Sequence, residues 1–269
     1  MSIRRELLPH GGRRLTRPSM AAAPANGFDY PATQVGTSGN VAVYYDPALG
    51  TQGLQLATSL VGAVTTPYRD MEAFFGIQGS AVTLIVAPLS SANDGSGGAY
   101  HYGCDFTTGN VLYVDATFAN SQVNPLDLEV GLYVAELSEA FMGPEGKGWG
   151  CGYSNGEGLS RFCAERETPN GTLAAFVTAP SWVQAGFPDW VTKTSTTDQD
   201  DVSTGCAVLY LYWMVSLGYT VPHIVQAPST TLAANYQALT GKSSAYADLV
   251  AAVQGLSVTS DNPFTGGLA

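Results

Sequence analysis

A chain of 269 residues with 45% hydrophobic content and a mean hydropathy of +0.06 is long and apolar enough for one large domain or two lobes. Charged residues make up only 12%, while Gly, Ser, Thr, Asn and Tyr abound, a composition compatible with a soluble, exported protein. Five arginines (4, 5, 13, 14 and 17) stand against one acid, Glu6, in residues 1–18, leaving six basic and 21 acidic residues beyond, a net of −15. That balance excludes nucleic acid and anionic membranes as partners, and no apolar run approaches the roughly 18 residues of a membrane span.

Residues 1–38 read as a disordered or flexible basic tail. Arg4-Arg5 and Arg13-Arg14 precede Ala21-Ala22-Ala23-Pro24-Ala25, but no apolar core lies between them, so no ordinary signal peptide is recognisable. The alternating run Asn40 to Asp46 predicts a strand. Leu56, Leu60, Val64, Tyr68, Met71 and Phe75 recur at helical spacing over Gly50 to Phe75, with Thr66-Pro67 kinking or splitting the helix and Gly76 ending it. Ala81 to Ala87 is the strongest strand signal, and Ser90 to Gly98 is a flexible loop by composition. Ala99 to Phe106 and Val111 to Ala116 predict a hairpin turning through Thr108-Gly109-Asn110.

Leu126 to Met142 predicts a long helix. Pro125 opens it, Asp127 and Glu129 suit its positive end, and Gly143-Pro144 stops it. A glycine-dense loop, 143–152, leads to a second helix from Asn155 to about Glu167, then an irregular cover over 168–200. Ser203 to Leu217 predicts a helix apolar nearly all round, capped by Asp201 or Ser203 and closed by Gly218. Shorter helices are expected near Thr231 to Leu239 and Ser244 to Val253. The order predicts an α+β protein: an α/β lobe over 39–143, a mainly helical lobe over 144–269, and a cleft between them.

Glu136 and Glu139 need explaining. About 60° apart on the helix, both address one side of its apolar second half, where a carboxylate must be paired, hydrogen-bonded, metal-bound or protonated. Ala135-Glu136-Leu137-Ser138-Glu139 resembles the zincin metallopeptidase helix, whose pattern is H-E-x-x-H. Asn155-Gly156-Glu157-Gly158-Leu159-Ser160 resembles the gluzincin segment whose glutamate is the third zinc ligand. By order of elements, the resemblance spans about residues 40 to 255. It implies a zincin-like fold, with Glu136 at the general-base position and Glu157 at the third-ligand position. Ala135 and Glu139 stand where the family has its histidines, so the resemblance implies a hydrolase scaffold without the zinc chemistry.

On that fold Glu136, Glu139 and Glu157 converge, and their charge is relieved by Arg161 one turn after Glu157, by retained protons, by a hard cation such as calcium or magnesium, or by Glu139 pointing to solvent so that only two acids matter. Arginine pairing with a retained proton is the favoured remedy. His101, Tyr102, Trp149 and Tyr153 are candidates to line the cleft, with Trp182 and Trp190 as further aromatics. Of the three histidines, His10 belongs to the tail and His223 to a Pro-flanked turn. Asp198, Asp200 and Asp201 either bind calcium or form a loop and helix cap. Cys163 and Cys206 read as buried thiols, and a Cys104–Cys151 bridge is conceivable in an exported protein. The expected function is an inactive pseudo-peptidase binding a protein, peptide or glycan in the cleft. The alternative is a hydrolase using Glu136, Glu139 and Glu157 without zinc.

Overall fold

The computed structural model of the chain describes residues 27–119, 123–169, 176–196 and 199–264. Its sheet comprises β1 (Thr33–Ser38), β2 (Val41–Tyr45), β3 (Val82–Ala87), β4 (Ala99–Tyr100) and β5 (Val111–Asp115), in the order β1-β2-β3-β5-β4. The central strands β2, β3 and β5 are parallel, with Val43 opposite Leu84 and Leu84 opposite Leu112, while β1 and β4 are antiparallel edges. A register shift between Gln34 and Gly36 interrupts β1. The fold is thus mixed α+β.

The crossover from β2 to β3 is a helix pair, α1 (Gly50–Ala63) and α2 (Thr65–Phe75). The expected break falls just before Pro67, which sits in the first turn of α2, where its missing N–H costs nothing. Strand alternation sorts the sheet into two buried faces. Val41, Val43, Leu84, Val86, Leu112 and Val114 face the helices, while Ile85, Ala87, Tyr100 and Tyr113 form a second cluster, packed by Phe28 and Tyr30. The expected tail is therefore corrected for residues 27–38. Besides forming β1, this stretch places Asp29 where the hydroxyls of Tyr100 (2.9 Å) and Tyr102 donate to it. The remaining tail residues, 1–26, lie outside the described residues.

Helix α3 runs over Pro125–Glu145, further than Gly143-Pro144 predicts. Asn124 caps it by accepting from Leu126 N–H at 2.9 Å, and Gly146 closes it in the left-handed region at φ +68°. Pro144, which has no N–H to donate, lies inside its last turn. Every residue from Leu128 to Met142 is buried, so α3 is a central helix rather than an amphipathic one.

The rest is helical: α4 (Ser154–Glu167), α5 (Ala179–Gln184), α6 (Asp201–Ser216), α7 (Val221–Val225), α8 (Leu232–Thr240) and α9 (Ala245–Val253). Asp200, one residue before the expected cap, accepts from Val202 N–H and starts α6. One apolar cluster runs from the sheet through α3 and α4 to α6 and α9, so both halves of the chain share a single core.

Candidate functional site

The site is built where three segments meet. Helix α3 supplies Glu136 and Glu139, each only 1% exposed. Strand β4 ends at Tyr100, and alternation sets the direction of the next side chain. Tyr100 and Tyr102 both reach Asp29, so His101 between them turns the other way, toward α3. Its Nε2 lies 3.0 Å from Glu139 Oε2 and 3.8 Å from Glu136 Oε2, with the imidazole itself buried. The third segment is the loop before α4. Cys151 is disulfide-bonded to Cys104, three residues after His101. Among the described residues, His101, Glu139 and Cys151 form a set of metal-ligand side chains whose donor atoms all lie within 4.8 Å of one another.

The segment carrying His101 is fixed by more than the disulfide. The expected tight hairpin is corrected here: only Ala99 and Tyr100 pair with β5, and residues 101–110 make a longer, internally bonded loop. Asp105 accepts from Thr107 N–H (2.7 Å) and Thr108 N–H (2.8 Å), bonds that hold its carboxyl below the usual range. Cys104 C=O accepts from Gly143 N–H on α3 at 3.0 Å. The chain turns at Asp105 and Gly103, the latter at φ +78°.

Glu157 occupies the first turn of α4, where Arg161 Nε donates to its Oε1 at 3.2 Å. Arg161 Nη1 also donates to Phe176 C=O at 2.9 Å, and both side chains are buried. The arginine remedy expected from their four-residue spacing is thus in place. A further turn on, Glu165 accepts from the Tyr212 hydroxyl at 2.8 Å and lies near Asp261, which itself accepts from Thr178 N–H (2.8 Å) and Ala179 N–H (2.6 Å). Burial pushes Glu165 well above the carboxylate range and raises Asp261 too. The glycines flanking Glu157 have a packing reason. A Cβ on Gly156 would lie 2.2 Å from Gly150 C=O, and one on Gly158 2.4 Å from Ala207 Cβ of α6.

Sequence reasoning misses two acids near the amino end of α3. Glu129 is not a solvated first-turn acid: it is fully buried, accepts from Thr117 N–H at 2.7 Å, and is pushed well above the ordinary range by burial. Asp115, at the end of β5, accepts from Ser90 N–H (2.7 Å), the Ser90 hydroxyl (2.6 Å) and Gly97 N–H (3.0 Å), which ties down the 90–98 loop. The seven-residue step from Glu129 to Glu136, two helical turns, is the signal that places both on one side of α3.

Other expected site residues serve packing. Tyr102 anchors Asp29, and Trp149, 4% exposed, donates Nε1–H to Val225 C=O at 2.7 Å instead of lining a cleft. Trp182 is buried with its N–H on Pro188 C=O, and Trp190 lies under the Lys193 ammonium, 4.7 Å from the ring centre. Tyr153 is the exception, 43% exposed at the amino end of α4. His223 is exposed on α7. Asp200 is a helix cap, Cys163 and Cys206 are buried free thiols, and His10 and Asp198 fall outside the described residues. No family model matches the chain, and no curated protein or solved structure is significantly similar to it.

Proposed function

We propose that this protein is a zincin-like pseudo-peptidase: a non-hydrolytic binding module on a peptidase scaffold, working in an oxidising compartment. One observation carries the reading. Glu139, standing where the resemblance puts a zinc-binding histidine, is engaged at 3.0 Å by an imidazole supplied from the β4 loop, in a place almost closed to solvent. Glu157, at the position the resemblance gives to the third zinc ligand, holds a buried arginine. A carboxylate engaged by guanidinium has its charge met by protein, and a cation competing for it must displace that partner. The Cys104–Cys151 disulfide supports an exported setting. The exposed Tyr153 ring, beside the glycine-dense loop, offers a stacking surface to a peptide or glycan.

The test uses oxidised protein. Elemental analysis should find no stoichiometric zinc, and peptide libraries should remain uncut. One tightly held zinc per chain with peptide cleavage overturns the proposal. A second reading, a carboxylate hydrolase, is favoured by one fact: Glu136 and Glu139 both lie within 4 Å of one imidazole nitrogen, an arrangement that can relay a proton. Glycan and peptide hydrolysis abolished by Glu136→Gln would establish it, whereas equal background in both proteins removes it.

A further inference from the structure

The disulfide lies beside a buried histidine and a buried carboxylate. Cys151 Sγ, a ring nitrogen of His101 and a Glu139 carboxylate oxygen come from three separate segments, all three residues are buried, and the atoms lie within 4.8 Å of one another. Ligand distances of about 2.0–2.3 Å place the donors of a tetrahedral zinc site roughly 3.3–3.8 Å apart. The His101–Glu139 separation of 3.0 Å lies just below that scale, and Cys151 lies within 4.8 Å of both. Cys104 Sγ lies outside that set, and its bond to Cys151 Sγ ties up the set's one sulfur.

We propose that reduction of the Cys104–Cys151 disulfide converts this cluster into a site for one thiophilic divalent cation of the zinc type. Its ligands are His101, Glu139 and Cys151. In the oxidised chain the two sulfurs are bonded to each other and present no thiolate. A dithiol reductant delivers two electrons, the S–S bond breaks, two thiols form, and the reductant becomes a disulfide. Metal binding then displaces the Cys151 thiol proton to solvent. A thiolate and an imidazole select a zinc-type ion over calcium or magnesium, which take oxygen donors. The site lies in the buried interior, between the β4 loop, α3 and the start of α4, so the metallated and oxidised chains differ in what holds these segments together. The proposal stands apart from the pseudo-peptidase reading, whose tests are made on oxidised protein.

The experiment titrates cobalt(II), then zinc(II), into the full chain, before and after dithiol reduction and anaerobic desalting. Reduced protein should bind one cobalt per chain with a thiolate-to-metal charge-transfer band, bleached by zinc, and oxidised protein should show neither. Cys104→Ser leaves Cys151 free and should give the band without reductant. Cys151→Ser and His101→Ala should lose it, while Cys163→Ser and Cys206→Ser should keep it. As a readout that needs no variant, zinc should raise the melting temperature of reduced but not oxidised wild type. No band in reduced wild type, a band that survives both Cys151→Ser and His101→Ala, or zinc stabilisation equal in both redox states each overturns the proposal.

Discussion

Replacing both bridged cysteines with alanine should destabilise the protein by about 4 kcal/mol. The magnitude comes from the 47-residue separation between Cys104 and Cys151: opening a loop of that length returns roughly 14 cal/mol/K of entropy to the unfolded chain, or about 4 kcal/mol at 25 °C. The assay is equilibrium urea unfolding of the Cys104→Ala/Cys151→Ala variant beside oxidised wild type. With an m-value of about 3 kcal/mol/M, the midpoint should fall by a little over 1 M. The bridged loop spans β5 and all of α3, so the cross-link restrains an unfolded segment that carries much of the core. A change below about 1 kcal/mol would refute the reasoning and show that other bonds, such as Gly143 N–H to Cys104 C=O, already restrict these segments.

Arg161→Met leaves Glu157 buried without its cation and should cost about 3–5 kcal/mol, whereas Glu157→Leu/Arg161→Met should recover most of it; a denaturation double-mutant cycle measures the difference. Gly158→Ala forces a methyl group against Ala207 and should lower stability by about 1–3 kcal/mol, seen as a fall in melting temperature with unchanged far-ultraviolet circular dichroism below it. Burial raises Glu145 to about 8 against the opposing Lys147 charge, and raises Glu167 to about 7 with help from Asp70. The folded chain therefore holds protons that the unfolded chain releases above about pH 4.5. These two groups should make stability fall as pH rises from about 4.5 to 8 and level off beyond, and Glu145→Gln should flatten the upper part of that slope.

Much of the fold is legible in the sequence because its strongest signals are local. The Val-rich runs at 41–45 and 82–87 become central parallel strands, and helical spacing announces α1, α2 and α3. Arg161 is legible as the partner of Glu157, since four residues on a helix are one turn. His101 is harder to place. Flanked by tyrosines, it reads as one more strand residue, and only the antiparallel pairing of β4 with β5 beside α3 brings its ring to Glu139. The burial of Glu129 escapes for a related reason: an acid one turn into a helix suits the dipole equally well in water or in the core, and residue periodicity does not distinguish the two. Nor does composition reveal that Phe28, Asp29 and Tyr30 join the sheet, because their partners, Tyr44, Tyr100 and Tyr113, are distant in the chain.

The sheet's two borders have a consequence for crowded solutions. An open sheet offers its outermost amides and carbonyls to any stray strand, and a long, flat border is where chains begin to zip into fibrils. One border here is a strand of two residues, too brief to template a neighbour, and the other is thrown out of step at Gln34 to Gly36. Neither presents a continuous row for a second molecule to extend. The protein should therefore remain dispersed at high concentration even though its parallel centre is as apolar as a fibril core.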